Sequence, residues 1–227
     1  MKKNKICCIF INHTPDKYKD VYEKMSNSVD YIDFYNYNPN WNEIIDVYGD
    51  ILFKDIYDQY NVASGNASFV AYYFKNFINS NYDYYFVFEN DVIFTGDYKL
   101  FFDTLTKNIY NYDAILPDQI VVPEKDWYWI NNSVAYRLID GFTKDNCYKQ
   151  LYTFFCLSNK MIDHIIEKYK EGYYGHQELI MSCIFKNYDG KYDYFSNHFN
   201  MVNSFLTWHI KPHHLKLKNT IIHPVKQ

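Results

Sequence analysis

The strongest constraint on the fold is an alternation: short unbroken apolar runs take turns with longer segments whose apolar residues recur every three or four positions. Ile6 to Ile11 is one such run and Tyr84 to Phe88 another. Runs this short, rich in β-branched and aromatic residues, read as strands buried on both faces. Between them, Asp16 to Met25 carries Tyr18, Val21, Tyr22 and Met25 at helical spacing. Val29 to Tyr35 alternates loosely and predicts a second strand, with Asp33 near its end. Pro39 and Asn40 break the chain. Ile44, Ile45, Val47, Tyr48, Ile51 and Leu52 then fit a helix interrupted near Gly49. After a loop from Asn61 to Gly65, Asn66 can cap a helix with the stripe Phe69, Val70, Tyr73, Phe74, Phe77, Ile78. Tyr98 to Leu105 reads as a short helix and Ala114 to Pro117 as a short strand. The first half thus reads β-α-β-α-α-β-α-β, which predicts an α/β fold with a mainly parallel central sheet and helices on both faces.

The second half is less regular. The pattern weakens from Val121 to Tyr148. Leu151 to Leu157 predicts a strand, and Ser158 can cap a helix carrying Met161, Ile162, Ile165, Ile166 and Tyr169. A further helix is expected from His176 to Phe185, and a strand over Tyr192 to Phe195 after the Asp189-Gly190 turn. No linker or low-complexity segment splits the chain, so a single domain over 1–227 is expected.

Composition narrows the function classes. Hydrophobic residues at 48% and charged residues at 22% suit a globular core. A net charge of −4 gives no global reason to expect nucleic acid or an anionic membrane as partner. The five cysteines are odd in number and form no Cys-x-x-Cys pair, which argues for reduced thiols and against a disulfide frame or zinc knuckle. The apolar segment after the basic start is too short for a signal peptide or an anchor. A cytoplasmic protein without an integral membrane segment is expected, with a peripheral membrane position left open. The 26 Tyr and 18 Phe read mainly as compositional bias.

Chemistry concentrates after the second apolar run, where Glu89-Asn90-Asp91 interrupts it before Val92-Ile93-Phe94 resumes. Carboxylates at the end of a buried strand are costly unless paired or bound to a cation. One residue apart on an extended chain, they would lie on one side, about 6.5–7 Å apart. In parallel α/β sheets ligands sit beyond the carboxyl ends of strands, where Asn12, Asp33 and Glu89 to Asp91 are all expected.

Three stretches stand in order: Glu-Asn-Asp-Val with Phe-Thr-Gly-Asp, then Gly175-His176-Gln177-Glu178 opening a helix, then Ile221-Ile222-His223-Pro224-Val225-Lys226. Together they resemble small glycosyltransferases of the GT-A fold, a Rossmann-like domain, of the type that modifies bacterial and large-virus surface glycans. The resemblance spans nearly the whole chain. Glu89 departs from it, because the family's motif usually begins with Asp.

That resemblance implies a transferase moving a sugar from a nucleotide-diphosphate sugar to a glycan hydroxyl, with Mn²⁺ or Mg²⁺ as cofactor. Residues 1–117 would form the nucleotide-sugar half, and 118–227 the acceptor half and tail. Asp91 would be the main metal ligand, Glu89 would support it, and His223 would complete the metal shell. Carboxylates suit hard cations, and one imidazole is acceptable to Mn²⁺. Asn12, His13, Asp33, Gly65, Asn66 and Asn90 would flank the nucleotide, and Lys226 would meet a phosphate. Glu178 would be the general base of an inverting reaction, with Asp140 in reserve. Trp127 and Trp129 would stack on an acceptor sugar and His176 would contact it. A non-catalytic nucleotide- or sugar-binding module, or a metal-dependent phosphohydrolase, remain the alternatives.

Overall fold

The computed structural model describes residues 5–13, 17–44, 67–125, 127, 147–171, 173, 176–203 and 214–223. The expected helix through Ile44 to Leu52 is described only at its start, where 41–44 is helical; its remainder, the loop at Asn61 to Gly65 and the candidate residues Gly65, Asn66, Trp129, Asp140 and Lys226 lie outside them.

β1 (Ile6–Ile11) is the keystone, and all six of its residues are buried. It pairs in parallel with β2 (Ile32–Tyr37) on one side and with β3 (Tyr84–Glu89) on the other. β3 pairs antiparallel with β6 (Phe154–Ser158), which pairs antiparallel with β5 (Ala114–Leu116). β5 pairs in parallel with β7 (Tyr192–Tyr194). The six-stranded order is β2-β1-β3-β6-β5-β7, parallel in three pairings of five, with β6 the reversed strand. Strands from both halves of the chain therefore share one sheet.

Alternate residues of the strands feed two cores. Cys7, Ile9, Ile11, Tyr85 and Val87 pack with α2 (Ala67–Tyr73), α4 (Asn159–Lys170) and α5 (Gln177–Lys186). Ile6, Cys8, Phe10, Phe86 and Phe88 face the other way, toward α1 (Lys19–Ser26) and α3 (Tyr98–Asn108). Burial on both faces is why these runs are continuously apolar rather than alternating. α2 runs on into a π-helical turn, Phe74–Ile78. Ser158 caps α4 as expected, its hydroxyl accepting from the Met161 amide at 3.1 Å.

Two differences from the sequence reading matter for the site. The second strand starts at Ile32 rather than Val29, because its register against β1 pairs Ile6 with Ile32. Asp33 is therefore at the amino end of β2, not near its carboxyl end. The tail also folds as strand. β9 (Thr220–His223) pairs antiparallel with β4 (Ile93–Phe94) and in parallel with β8 (Asn200–Asn203), forming a second, three-stranded sheet. Phe94 and Ile221 anchor this small sheet in the core on the α1–α3 side.

The connections also create a switch point. The β1-to-β2 connection runs through α1 on one face, and the β2-to-β3 connection includes α2 on the other. Crossovers that part in opposite directions mark a switch point at the carboxyl ends of β1 and β3, the usual ligand position in open α/β sheets.

Candidate active site

The carboxyl ends of β1 and β3 lie side by side, with Ile11 in register with Glu89. Asn12 follows β1 fully buried. Its amide Nδ2 donates to Asn36 Oδ1 at 2.9 Å, and its backbone N–H donates to the Tyr37 carbonyl at 2.8 Å. His13 stacks on Trp41, with ring centroids 6.0 Å apart. Partial desolvation lowers the His13 pKa, and the nearby Asp91 charge offsets some of that effect. His13 thus feels the charge of the acidic motif.

Glu89 is the last residue of β3, and its N–H donates to the Thr153 carbonyl at 2.8 Å. The chain does not stay extended after it. Asn90 and Asp91 form a turn closed by the Val92 N–H to the Glu89 carbonyl at 3.1 Å. This replaces the separation expected on an extended chain. The turn folds Asp91 back toward Glu89, and the β4–β9 pairing of Ile93 with Ile222 carries His223 to the same point. Ligand-capable atoms of Glu89, Asp91 and His223 all lie within 4.8 Å of one another.

Two carboxylates and one imidazole make an O,O,N donor set. Ligands on opposite sides of an ion with bonds of about 2.0–2.2 Å are ~4 Å apart, so modest adjustment would close this set around one cation. The side-chain hydrogen bonding agrees. Asp91 Oδ1 is 3.3 Å from His223 Nε2, yet it is buried without a hydrogen-bond partner of suitable geometry. His223 Nδ1 is also buried without one. Buried polar atoms are ordinarily satisfied, so the orphaned Asp91 Oδ1 beside His223 Nε2 fits a missing positive partner. The residues present therefore fit a hard or borderline divalent ion. Among the described residues this is the one group of three or more candidate ligands.

Burial pushes the Glu89 carboxyl well above the usual carboxylate range, and the charges of Asp91 and Glu178 push it further. Glu178 is thus one of the charges that act on Glu89. Glu178 is in the first turn of α5, and its carbonyl accepts from the Gln150 N–H at 3.3 Å. Desolvation raises its carboxyl to about 7, with the Lys149 ammonium pulling in the opposite direction. A carboxylate tuned near neutrality is what a general base requires.

The remaining candidates divide. His176 occupies the N-cap position of α5. Its carbonyl accepts from the Leu179 and Ile180 amides, while its side chain makes no capping bond. Burial lowers its imidazole to about 4, so it is neutral across the physiological range. Asn90 is largely buried in the turn. Trp127 is half-buried against the core, with the Lys149 ammonium 5.6 Å from its ring centroid. At least one of its faces is thus already engaged within the protein. Asp33 does not join the site. Its Oδ2 accepts from the Tyr82 hydroxyl at 2.7 Å at the opposite end of the sheet, four residues of strand (about 13 Å) from the level of Tyr37 and Glu89.

Gln177 was not legible as a site residue, although it is adjacent to Glu178. Its Oε1 accepts from the Ala67 N–H at 3.0 Å, and its Nε2 reaches the Tyr152 carbonyl at 3.5 Å. It ties the starts of α2 and α5 to the lead-in of β6, and so fixes the turn that carries Glu178. The signal was its position in Gly-His-Gln-Glu, but its partner is 110 residues away in the chain.

No protein-family model matches the sequence, and no curated protein does either. Among solved structures, the chain is similar to the 4-diphosphocytidyl-2C-methyl-D-erythritol synthase of Anaerococcus prevotii DSM 20548. The match has 14% identity and a TM-score of 0.45, over 84% of this chain and 88% of that one. Similarity at that level leaves the site to be judged on its own residues.

Proposed function

We propose that this chain is a divalent-metal-dependent, inverting glycosyltransferase that moves a sugar from a nucleotide-diphosphate sugar to a glycan hydroxyl. The observation that carries this reading is the convergence of Glu89, Asp91 and His223 beside a fourth group, Glu178, tuned near neutrality. Glu89, Asp91 and His223 would hold Mn²⁺ or Mg²⁺, and the imidazole favours Mn²⁺. When bound, the cation supplies Lewis-acid neutralisation of the charge that develops on the leaving diphosphate.

The chain's own residues do the rest. Asn12 and His13 flank the switch point where the nucleotide would lie. Ionised Glu178 takes the proton of the acceptor hydroxyl as its oxygen bonds to the sugar's anomeric carbon. The bond from that carbon to the phosphate oxygen breaks, and its electron pair leaves with the nucleoside diphosphate. Asp140, Gly65, Asn66, Trp129 and Lys226 keep the roles that the family resemblance implies.

A phosphohydrolase is less well supported. That chemistry commonly uses two metals about 3.5–4 Å apart, and the described residues offer one cluster. A binding module without catalysis gives no role to a desolvated acid beside the cation site.

The test is a thermal-shift screen of UDP-, GDP- and TDP-sugars with and without Mn²⁺, followed by product analysis with glycan acceptors. Mn²⁺-dependent stabilisation by one nucleotide sugar, with transfer in the presence of acceptor, is expected. Stabilisation without transfer to any acceptor would favour the binding module. Acceptor-independent release of nucleotide as the main reaction would favour the hydrolase.

A further inference from the structure

We infer that the segment Leu215 to Lys218 is a docking surface for an anionic phospholipid bilayer. Charge is distributed very unevenly along this chain. The final 34 residues, 194–227, hold four lysines and no acid, whereas the preceding 193 carry a net −8. The overall −4 conceals this contrast, which is a recognised mark of a nucleic-acid- or membrane-facing segment.

Within that stretch, His214–Lys216 forms a 3₁₀ turn. Leu215 and Leu217 are 47% and 42% exposed, and Lys216, Lys218 and Asn219 are exposed beside them. Leucine and lysine thus alternate over four residues, all open to solvent.

The loop is firmly mounted. Asn219 has a positive φ of 50°, which turns the chain sharply into β9. Its Oδ1 lies so close to Gly96 that a Cβ there would meet it at 2.4 Å. The next residue is clamped: the Thr95 N–H donates to the Thr220 carbonyl at 3.0 Å, and the Thr220 N–H donates to Thr95 Oγ1 at 3.1 Å. The two leucines are therefore presented from a fixed base.

Geometry also separates this surface from the cation site. β9 runs away from it, and Thr220 to His223 alone spans about 10 Å of strand. Lys216 and Lys218 precede Thr220, at the opposite end of that strand from His223.

Exposed leucines paired with lysines suit one partner chemistry. The lysines meet anionic headgroups, and the leucines enter the boundary between headgroups and acyl chains. A polyanion such as a nucleic acid would use the lysines and leave the leucines without a role. This inference stands apart from the transferase reading, although a surface-bound enzyme would meet a lipid-borne acceptor without a search through bulk solution.

The test is flotation of the full chain with vesicles of phosphatidylcholine alone or with about a third phosphatidylglycerol. Binding to the anionic vesicles, weakened by salt, is expected. Each lysine near such a surface contributes roughly fivefold, so Lys216→Ala with Lys218→Ala should weaken binding about 25-fold. Leu215→Ser with Leu217→Ser should weaken it by a comparable factor while retention on heparin is unchanged. All four positions are exposed, and unchanged melting temperatures would establish that the variants fold. No binding to anionic vesicles, or binding indifferent to both double variants, overturns the proposal. So does binding that the lysine variant abolishes and the leucine variant leaves intact, because that behaviour belongs to a general polyanion site.

Discussion

Replacing Glu178 by Gln separates its two physical consequences. The amide keeps the shape of the side chain but can neither ionise nor accept a proton. Desolvation raises the Glu178 carboxyl to about 7 from an ordinary value of 4.5. At 1.36 kcal/mol per pH unit, that gap corresponds to roughly 3 kcal/mol. The sign follows from proton binding. Between pH 4.5 and 7 the unfolded chain has lost this proton and the folded chain retains it, so stability falls as pH rises, then levels off above about 7. Gln carries no such penalty. The stability of Glu178→Gln relative to the parent should therefore grow by up to about 3 kcal/mol between pH 4.5 and 8, with no further change above that. Urea denaturation in the presence of a chelator measures this, since a bound cation would itself pull the carboxyl down. Glu89 titrates in both proteins, and its repulsion with ionised Glu178, present in the parent alone, works in the same sense. The same variant should lose at least about a hundredfold in turnover, on the scale of a removed general base. A stability difference that is flat with pH would show that Glu178 is not desolvated, and the reason for choosing it as base would fall. Unchanged turnover would move the base to Asp140 or elsewhere.

Other expectations test separate parts of the structure. Asp91→Ala should abolish Mn²⁺-dependent nucleotide-sugar binding in calorimetry while the circular dichroism spectrum is retained; undiminished binding would remove Asp91 from the cation site. His223→Ala should weaken Mn²⁺ binding at least about tenfold, equivalent to 1.4 kcal/mol, and an unchanged titration would make the β9 histidine a bystander. Phe101, buried among Phe88, Phe94, Phe195 and Phe199, joins the small sheet to the main core; Phe101→Ala should cost about 3–5 kcal/mol in denaturant unfolding. Ser158→Ala removes the cap on α4 and should cost about 1 kcal/mol with no effect on ligand binding.

What could be read from the chain, and what could not, follows the range of the forces involved. The sequence alone determined the strands β1, β3, β5 and β6, the helices that cover them and the cap at Ser158, because each is written locally in period and capping chemistry. It also marked Glu89 and Asp91, because acids adjoining an apolar run are out of place as packing, while Glu178 was marked only by the family resemblance of Gly-His-Gln-Glu. The start of β2 was misjudged, since the register against β1 decides where that strand begins; Asp33 consequently falls at the wrong end of the sheet. Only the tertiary structure turned the chain at Asn90, paired β9 with β4 to bring His223 to Asp91, and linked Gln177 to Ala67. The last two contacts join residues more than a hundred positions apart, where no local pattern exists to report them, and the strand pairing is what adds His223 to the acidic turn.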